Sequence, residues 1–321
     1  MRDMVFDLPL PALSWLLGKG HRTCTAVSGQ RQWLSDVTGL TNFPYAALRA
    51  NPNANLDTDD AAHWLCLDPV RLRVERTQFI VEDSASLQLS DAEADALVRD
   101  LAPLFAELGE LHVAGPHEWH LHLASAATTI RTTPLPDVIG FNGDNLMPQA
   151  DNVKIWRRLL NEAQMLLHTH PVNLARQQRG LPAVNSLWPW GEGELQASGM
   201  PHWNTVQADG VLWRGFAQCA GAAWASLPPR FDGCVGKTLV MNDALAASTA
   251  QGDAMSWREI MKQLEADWFV PAVVALRAGM LDEIVLHGMG ANHALSARVT
   301  KHARYAFWRS PASLETLGIA A

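Results

Sequence analysis

At 321 residues the chain has room for one large domain or two ordinary ones with a sizeable buried core. Hydrophobic residues make up 48% and charged residues 18%, a globular composition that excludes disorder as the main state. A formal net charge of -8 argues against a nucleic-acid reader, and no block of like charges suggests a polybasic membrane segment.

Residues 1–60 mix apolar runs with turn-rich polar stretches. Pro9 and Pro11 break the short apolar run near the N-terminus, and no small-residue cleavage site follows it, so no signal peptide is expected. No stretch approaches the roughly 20 apolar residues of a bilayer span. Cys24, Cys66, Cys219 and Cys234 form no C-x-x-C pair and read as core residues in a reducing cytoplasm. Thirteen tryptophans against two tyrosines read as core filling, with an aromatic-lined pocket as the alternative.

After a loop at 50–60, His63 to Leu67 reads as a strand ended by Asp68-Pro69, and Leu72 to Val81 as a second. Ser90 with Glu93 three residues on is a capping box opening a helix, with Leu97, Leu101, Leu104 and Leu108 at helical spacing and Gly109 stopping it. Leu111 to Ala114 and Trp119 to Leu123 form a hairpin around Gly115-Pro116. A Thr- and Pro-rich connection leads to an amphipathic helix from Asn152 to His168, broken by Pro171. Val184 to Gly193 is a buried strand running into a glycine loop. Val211 to Leu227 is predicted helical, Thr238 to Met241 a strand, Trp257 to Leu276 a long helix and Glu283 to His287 a strand. Tyr305 to Arg309 closes the fold. The alternation gives an α/β class with a mixed sheet flanked by helices.

Three segments carry candidate chemistry. In His168-Thr169-His170 the two imidazoles lack a local third ligand, so a helix-end cap is the better reading than a metal pair. Arg176 and Arg179 lie one turn apart and suit either a phosphate clamp or a solvated pair. The run Asn185-Ser186-Leu187-Trp188-Pro189-Trp190-Gly191-Glu192-Gly193 ends in glycines that allow close approach to the backbone, by a ligand or in a tight turn. His287 to His293 is a glycine-flanked turn after a strand. No nucleophile elbow, Walker loop or H-E-x-x-H is present.

The stretch H-P-V-N-x-x-R-x-x-R-G-x-P-x-V-N-S-L-W-x-W-G-x-G, from His170 to Gly193, resembles a region of the archaeal-type cofactor-independent phosphoglycerate mutases. Its N-S-L-W-x-W-G version resembles a bacterial RpfE-like, phosphoglycerate-mutase-like family over nearly the whole chain. The resemblance implies an alkaline-phosphatase-like fold: residues 1–60 as the N-terminal part of the α/β core, 61–150 as an inserted α+β subdomain, and 151–321 as the rest of the core. In the mutases two Mn²⁺ or similar ions activate a Ser nucleophile. Against the metal-ligand motifs of that family, residues 1–60 lack D-G-x-x-D. Asp243 is followed by Ala247 where D-x-x-x-H needs histidine, and His287-Gly288-Met289 replaces D-H-S. Trp190 replaces the arginine of an R-G-x-G loop, and Asp137 alone remains of a D-x-D-P-H segment.

The expectation that follows is a degenerate scaffold without metal or other cofactor: a non-catalytic regulatory or ligand-binding protein. Its pocket is expected from His170, Asn173, Arg176, Arg179, Asn185, Trp188, Trp190, Gly191 and Gly193. The expected occupant is a small phosphorylated or aromatic ligand or a protein partner, with no nucleic acid and no membrane. The alternative is a cofactor-independent phosphoglycerate mutase, or a related phosphotransferase or hydrolase, with a site rebuilt around His168, His170, His287 and His293.

Overall fold

The computed structural model describes residues 5–27, 29–54, 63–75, 78–82, 84–125, 130, 132–139, 153–193, 195, 201–290 and 293–315. These form a mixed α/β protein of two compact units. One comprises Met1–Trp33, Pro201–Gly210 and Ala220–Ala321; the other comprises Leu34–Met200 and Val211–Cys219. The domain boundaries expected at 60/61 and 150/151 lie outside the described residues. Among the described residues no helix is long and apolar enough to cross a membrane.

Along the chain the strands are β1 (His21–Ala26), β2 (Trp64–Glu75), β3 (Gln78–Glu82), β4 (Gly109–Gly115), β5 (Glu118–Leu123) and β6 (Ser186–Trp190). They continue with β7 (Thr205–Gln207), β8 (Ala223–Ala225), β9 (Thr238–Val240), β10 (Glu283–Met289) and β11 (His293–Thr300).

In the 34–200 unit, β2 is the hub of a five-stranded antiparallel sheet, pairing β3, β5 and β6, with β4 beyond β5. Pro69 does not end this strand. Proline lacks a donor but fits extended backbone, and the ladder runs through it, opposite Leu187. Side chains alternate across the sheet. Leu65, Leu67, Leu111, Trp119, Leu121 and Leu123 join a core with the helices Asp91–Phe105 and Val153–Thr169, where Leu97, Leu101, Trp156 and Leu160 are buried. The predicted capping box is present, with Ser90 accepting from the Glu93 amide and Glu93 accepting from the Ser90 amide. Gly109 opens β4 rather than stopping the helix, which ends four residues earlier, at Phe105.

Pro171 begins a second helix, Pro171–Gln178. At the first helical position proline loses no bond, and its fixed φ suits the helix. The predicted helix from Val211 to Leu227 is shorter, Val211–Cys219, and β8 follows it. The run Ala220–Ala225 is largely exposed, short, rich in small residues and edge-paired, so periodicity did not separate it from the helix.

The other unit holds two sheets. β1, β11 and β10 form an antiparallel sheet in that order; β8, β7 and β9 form a parallel one. Leu13, Leu16 and Leu17 of the helix Pro11–Lys19 pack with Met261, Val273, Leu276, Ala297 and Val299. The long helix predicted over 257–276 is three pieces: Ala254–Leu264, a π-turn at Glu265–Phe269 and Val270–Ala278. The π-turn carries buried Glu265, whose carboxylate accepts from the amides of Ala12 (2.5 Å) and Leu13 (3.0 Å). Leu10, the residue before that helix, offers no side-chain cap, so a carboxylate from 253 residues away supplies the negative charge its N-terminus favours.

Candidate functional site

The nine expected pocket residues fall in the 34–200 unit, and their polar groups are engaged by the chain itself. His170 caps the helix Pro171–Gln178: its Nδ1 accepts from the Val172 amide at 3.2 Å and its Nε2 lies 3.0 Å from Asp100. Of the two imidazoles, His170 makes a cap, at the start of the following helix. Asn173, buried, donates to the carbonyls of Leu167 and Val184 and accepts from the Val184 amide. Asn185 makes the same two-way pairing with the Leu72 backbone. Arg176, wholly buried, donates to Glu93 at 2.7 Å and to the carbonyls of Pro182 and Leu87; Arg179 donates to the same Glu93. Burial pushes Glu93 upward, but the Ser90 amide and the two guanidiniums outweigh it and hold the carboxyl below its ordinary value.

Trp188 and Trp190 are buried in β6, with indole N–H groups donating to the Thr133 carbonyl and to Asp68. Gly191, at φ 82°, lies where a Cβ would meet the Tyr45 Cβ at 3.0 Å; at Gly193 it would meet Pro44 at 2.9 Å. The close approach that these glycines permit is made by the segment 42–46 of the same chain. Beneath them is a group that the sequence reading missed. Asp68, from β2, accepts from Arg49 Nη1 (2.8 Å) and Nη2 (3.0 Å), from the Trp119 amide (3.1 Å) and from Trp190 Nε1 (2.8 Å). Arg49 also lies 5.6 Å from the centre of the Trp190 ring. Next in the row, the His120 imidazole is held well below its ordinary pKa by burial, by Arg49 and by His112. A histidine with a depressed folded pKa loses stability as pH falls through the unfolded value of about 6.5. Unfolding free energy is therefore expected to decline below that pH, and His120→Leu to remove that part of the decline in denaturant titrations.

The other unit offers a different geometry. In open parallel sheets ligands bind outside the carboxyl ends of the strands, where the strand order reverses. β7 is central, with β8 on one side and the later β9 on the other, so the order reverses there. Asp209 follows β7, and Asn242 and Asp243 follow β9; all three are exposed. The Asp209 carboxylate accepts from the Leu227 amide at 3.1 Å, and Asn242 Oδ1 accepts from the Ala244 amide at 3.0 Å. Both loops are tied down, since the Ala208 amide donates to Ala225 and the Met241 amide to Gln207. His287, also in this unit, bonds Ser296 at 2.7 Å, and burial lowers its pKa. Asp209 had no sequence signal beyond a turn; only the strand order gives it meaning.

No protein-family model matches the chain. It is 28% identical over 167 residues to the 2,3-bisphosphoglycerate-independent phosphoglycerate mutase of Methanosarcina acetivorans, a match spanning 50% of this chain and 42% of that protein. The Methanosarcina barkeri mutase is 30% identical over 168 residues, with the same coverage. The chain is a distant homologue of these mutases. A probable mutase of the same description from Geobacter sulfurreducens is 24% identical over 203 residues, 58% of this chain and 50% of that one. The homology therefore spans half or less of these relatives' length. The PH0037 protein from Pyrococcus horikoshii shares the fold, with a TM-score of 0.58 over 98% of this chain and 86% of that chain at 12% identity.

These relatives correct the expectation of a non-catalytic regulatory or ligand-binding protein: they bear the name of an enzyme and point to the mutase alternative. The expectation rested on reading several metal-ligand motifs of the mutases as lost. Asp243, which has no histidine four residues on, follows β9 at the carboxyl edge of the parallel sheet.

Proposed function

We propose that the chain is an enzyme acting on phosphoglycerate: a cofactor-independent phosphoglycerate mutase, or a related phosphotransferase or hydrolase. The homology to the Methanosarcina mutases carries this reading. Asp209 and Asp243, at the carboxyl edge of the parallel sheet, support it. Under it the finer fold name is alkaline-phosphatase-like, the nearer kin are the RpfE-like bacterial proteins, and the enzyme works in the cytoplasm.

Among the described residues, the two ions implied by the mutase resemblance find no matching donor set. Among the described residues no group of three or more His, Cys, Asp or Glu is placed to hold a metal. One oxygen of Asp209 and the amide oxygen of Asn242 are taken by backbone amides. No step is therefore assigned to a metal. The role we assign to Asp209 and Asp243 is to orient the substrate and to hold or move its proton, as positioned carboxylates do.

The test is conversion of 3-phosphoglycerate to 2-phosphoglycerate by the purified chain, with Mn²⁺ or Mg²⁺ added and with chelator. Turnover is expected, and Asp243→Asn and Asp209→Asn are expected to lower it about 10²–10⁴-fold. Both side chains are exposed, so stability should change by less than about 0.5 kcal/mol. Folded protein that neither interconverts the phosphoglycerates nor releases phosphate from them under any of these conditions overturns the proposal. Turnover unchanged in both variants moves the site away from the sheet edge.

A further inference from the structure

The segment Lys301–Arg309 closes the unit that contains both termini, and it carries an exposed aromatic tip. Tyr305, Phe307 and Trp308 are 60%, 88% and 71% exposed, and the last two rings meet edge to face at 5.1 Å. Such exposure in a loose tail means little. Here the turn is fastened on both sides. The Phe307 amide donates to Tyr305, the Arg309 amide to Ala306 and the Ala312 amide to Ser14. Lys19 donates to the carbonyls of Ala306 and Arg309, and Arg309 returns a bond to the Lys19 carbonyl at 2.8 Å. Gly18 lets the strap lie directly on the helix Pro11–Lys19, since a Cβ there would meet the Ser310 carbonyl at 2.2 Å. The backbone is locked while its largest apolar side chains point outward.

The charge around this tip is one-sided. Between Lys301 and Arg309 there is no Asp or Glu. Lys301 is paired with Asp282. Lys19, Arg277, Arg304 and Arg309 have no carboxylate partner among the described residues. Lys19 and Arg309 bond carbonyls, Arg304 bonds the Arg277 carbonyl and covers the Tyr305 ring at 4.7 Å, and Arg277 lies 5.8 Å from the Trp15 ring centre. In a chain of net charge -8, a group of uncompensated cations around exposed aromatics is a local exception.

We propose that this aromatic tip docks the protein on an anionic phospholipid surface, reversing the expectation of no membrane contact. Amphipathic rings favour the headgroup level, and the fixed cations face lipid phosphates; the two attractions together give reversible peripheral binding. A second copy seated face to face on the same patch would bring these cations against one another, which disfavours a symmetric dimer there.

The experiment is co-sedimentation of the full chain with vesicles of equimolar phosphatidylcholine and phosphatidylglycerol, and with phosphatidylcholine alone. Binding to the anionic vesicles is expected to exceed that to neutral ones by about tenfold at low salt and to weaken as salt rises. The double substitution Phe307→Ser/Trp308→Ser is expected to lose most of it at an unchanged melting temperature. Arg304→Gln, tested separately, should weaken anionic binding alone. Failure to bind anionic vesicles at low salt, or equal binding by the double variant, overturns the proposal. So does a concentration-dependent dimer that the double variant abolishes, because it assigns the patch to a second copy.

Discussion

Replacing Asp68 by alanine is expected to destabilise the protein by about 3–5 kcal/mol, measured as a shift in its urea unfolding midpoint at constant slope. Arg49 is 5% exposed and Asp68 2%, so the change strands a guanidinium where water cannot solvate it. It also leaves the Trp119 amide and the Trp190 indole N–H without their acceptor. Removing the guanidinium as well, with Arg49→Met in the Asp68→Ala background, relieves the buried charge but not the two orphaned donors, each worth about 1–3 kcal/mol. The double variant is therefore expected to be more stable than Asp68→Ala, yet well short of the wild type. A double variant no better than Asp68→Ala would mean that the charge itself is not the problem and that packing dominates.

Much of the sheet and its helices was legible because their signals are local. The capping box at Ser90 and Glu93, the apolar spacing of 153–169, and the hairpin around Gly115 each depend on a handful of neighbouring residues. The Arg49–Asp68 pair was not legible. Its members lie 19 positions apart, and Asp68 stood beside a proline that reads as a strand end. The candidate pocket was half legible. His170, Asn173, Arg176 and Asn185 are indeed brought to one region, but as caps and braces whose partners, such as Glu93 and Leu72, lie far along the chain. Polar residues crowded around glycines look alike whether a ligand or the protein's own backbone meets them, and spacing cannot tell the two apart. Asp209 and Asp243 gain meaning only from the order of three short parallel strands, which no local pattern encodes.

Glu93 joins two of these local signals, and it sets the other large effect. It closes the capping box of Asp91–Phe105 and receives both Arg176 and Arg179 from the neighbouring helix, so one carboxylate ties two helices together. Arg176→Met is expected to cost about 3–5 kcal/mol, because the guanidinium is fully buried and the carbonyls of Leu87 and Pro182 lose their donor with it. Arg179→Met, on an exposed side chain, should cost no more than about 1 kcal/mol. The pH dependence separates a charge effect from lost packing. Because the folded Glu93 carboxyl titrates below its ordinary value of 4.5, its stabilisation is complete above that pH. It is lost as pH falls through the lower folded value, when the proton neutralises the partner of both arginines. Wild-type stability should therefore drop through this acid range, and Glu93→Gln should drop less steeply from a lower starting point. If the two proteins lose stability in parallel below pH 4.5, the carboxylate contributes as a helix cap and spacer, and the arginines are held by their carbonyl bonds alone.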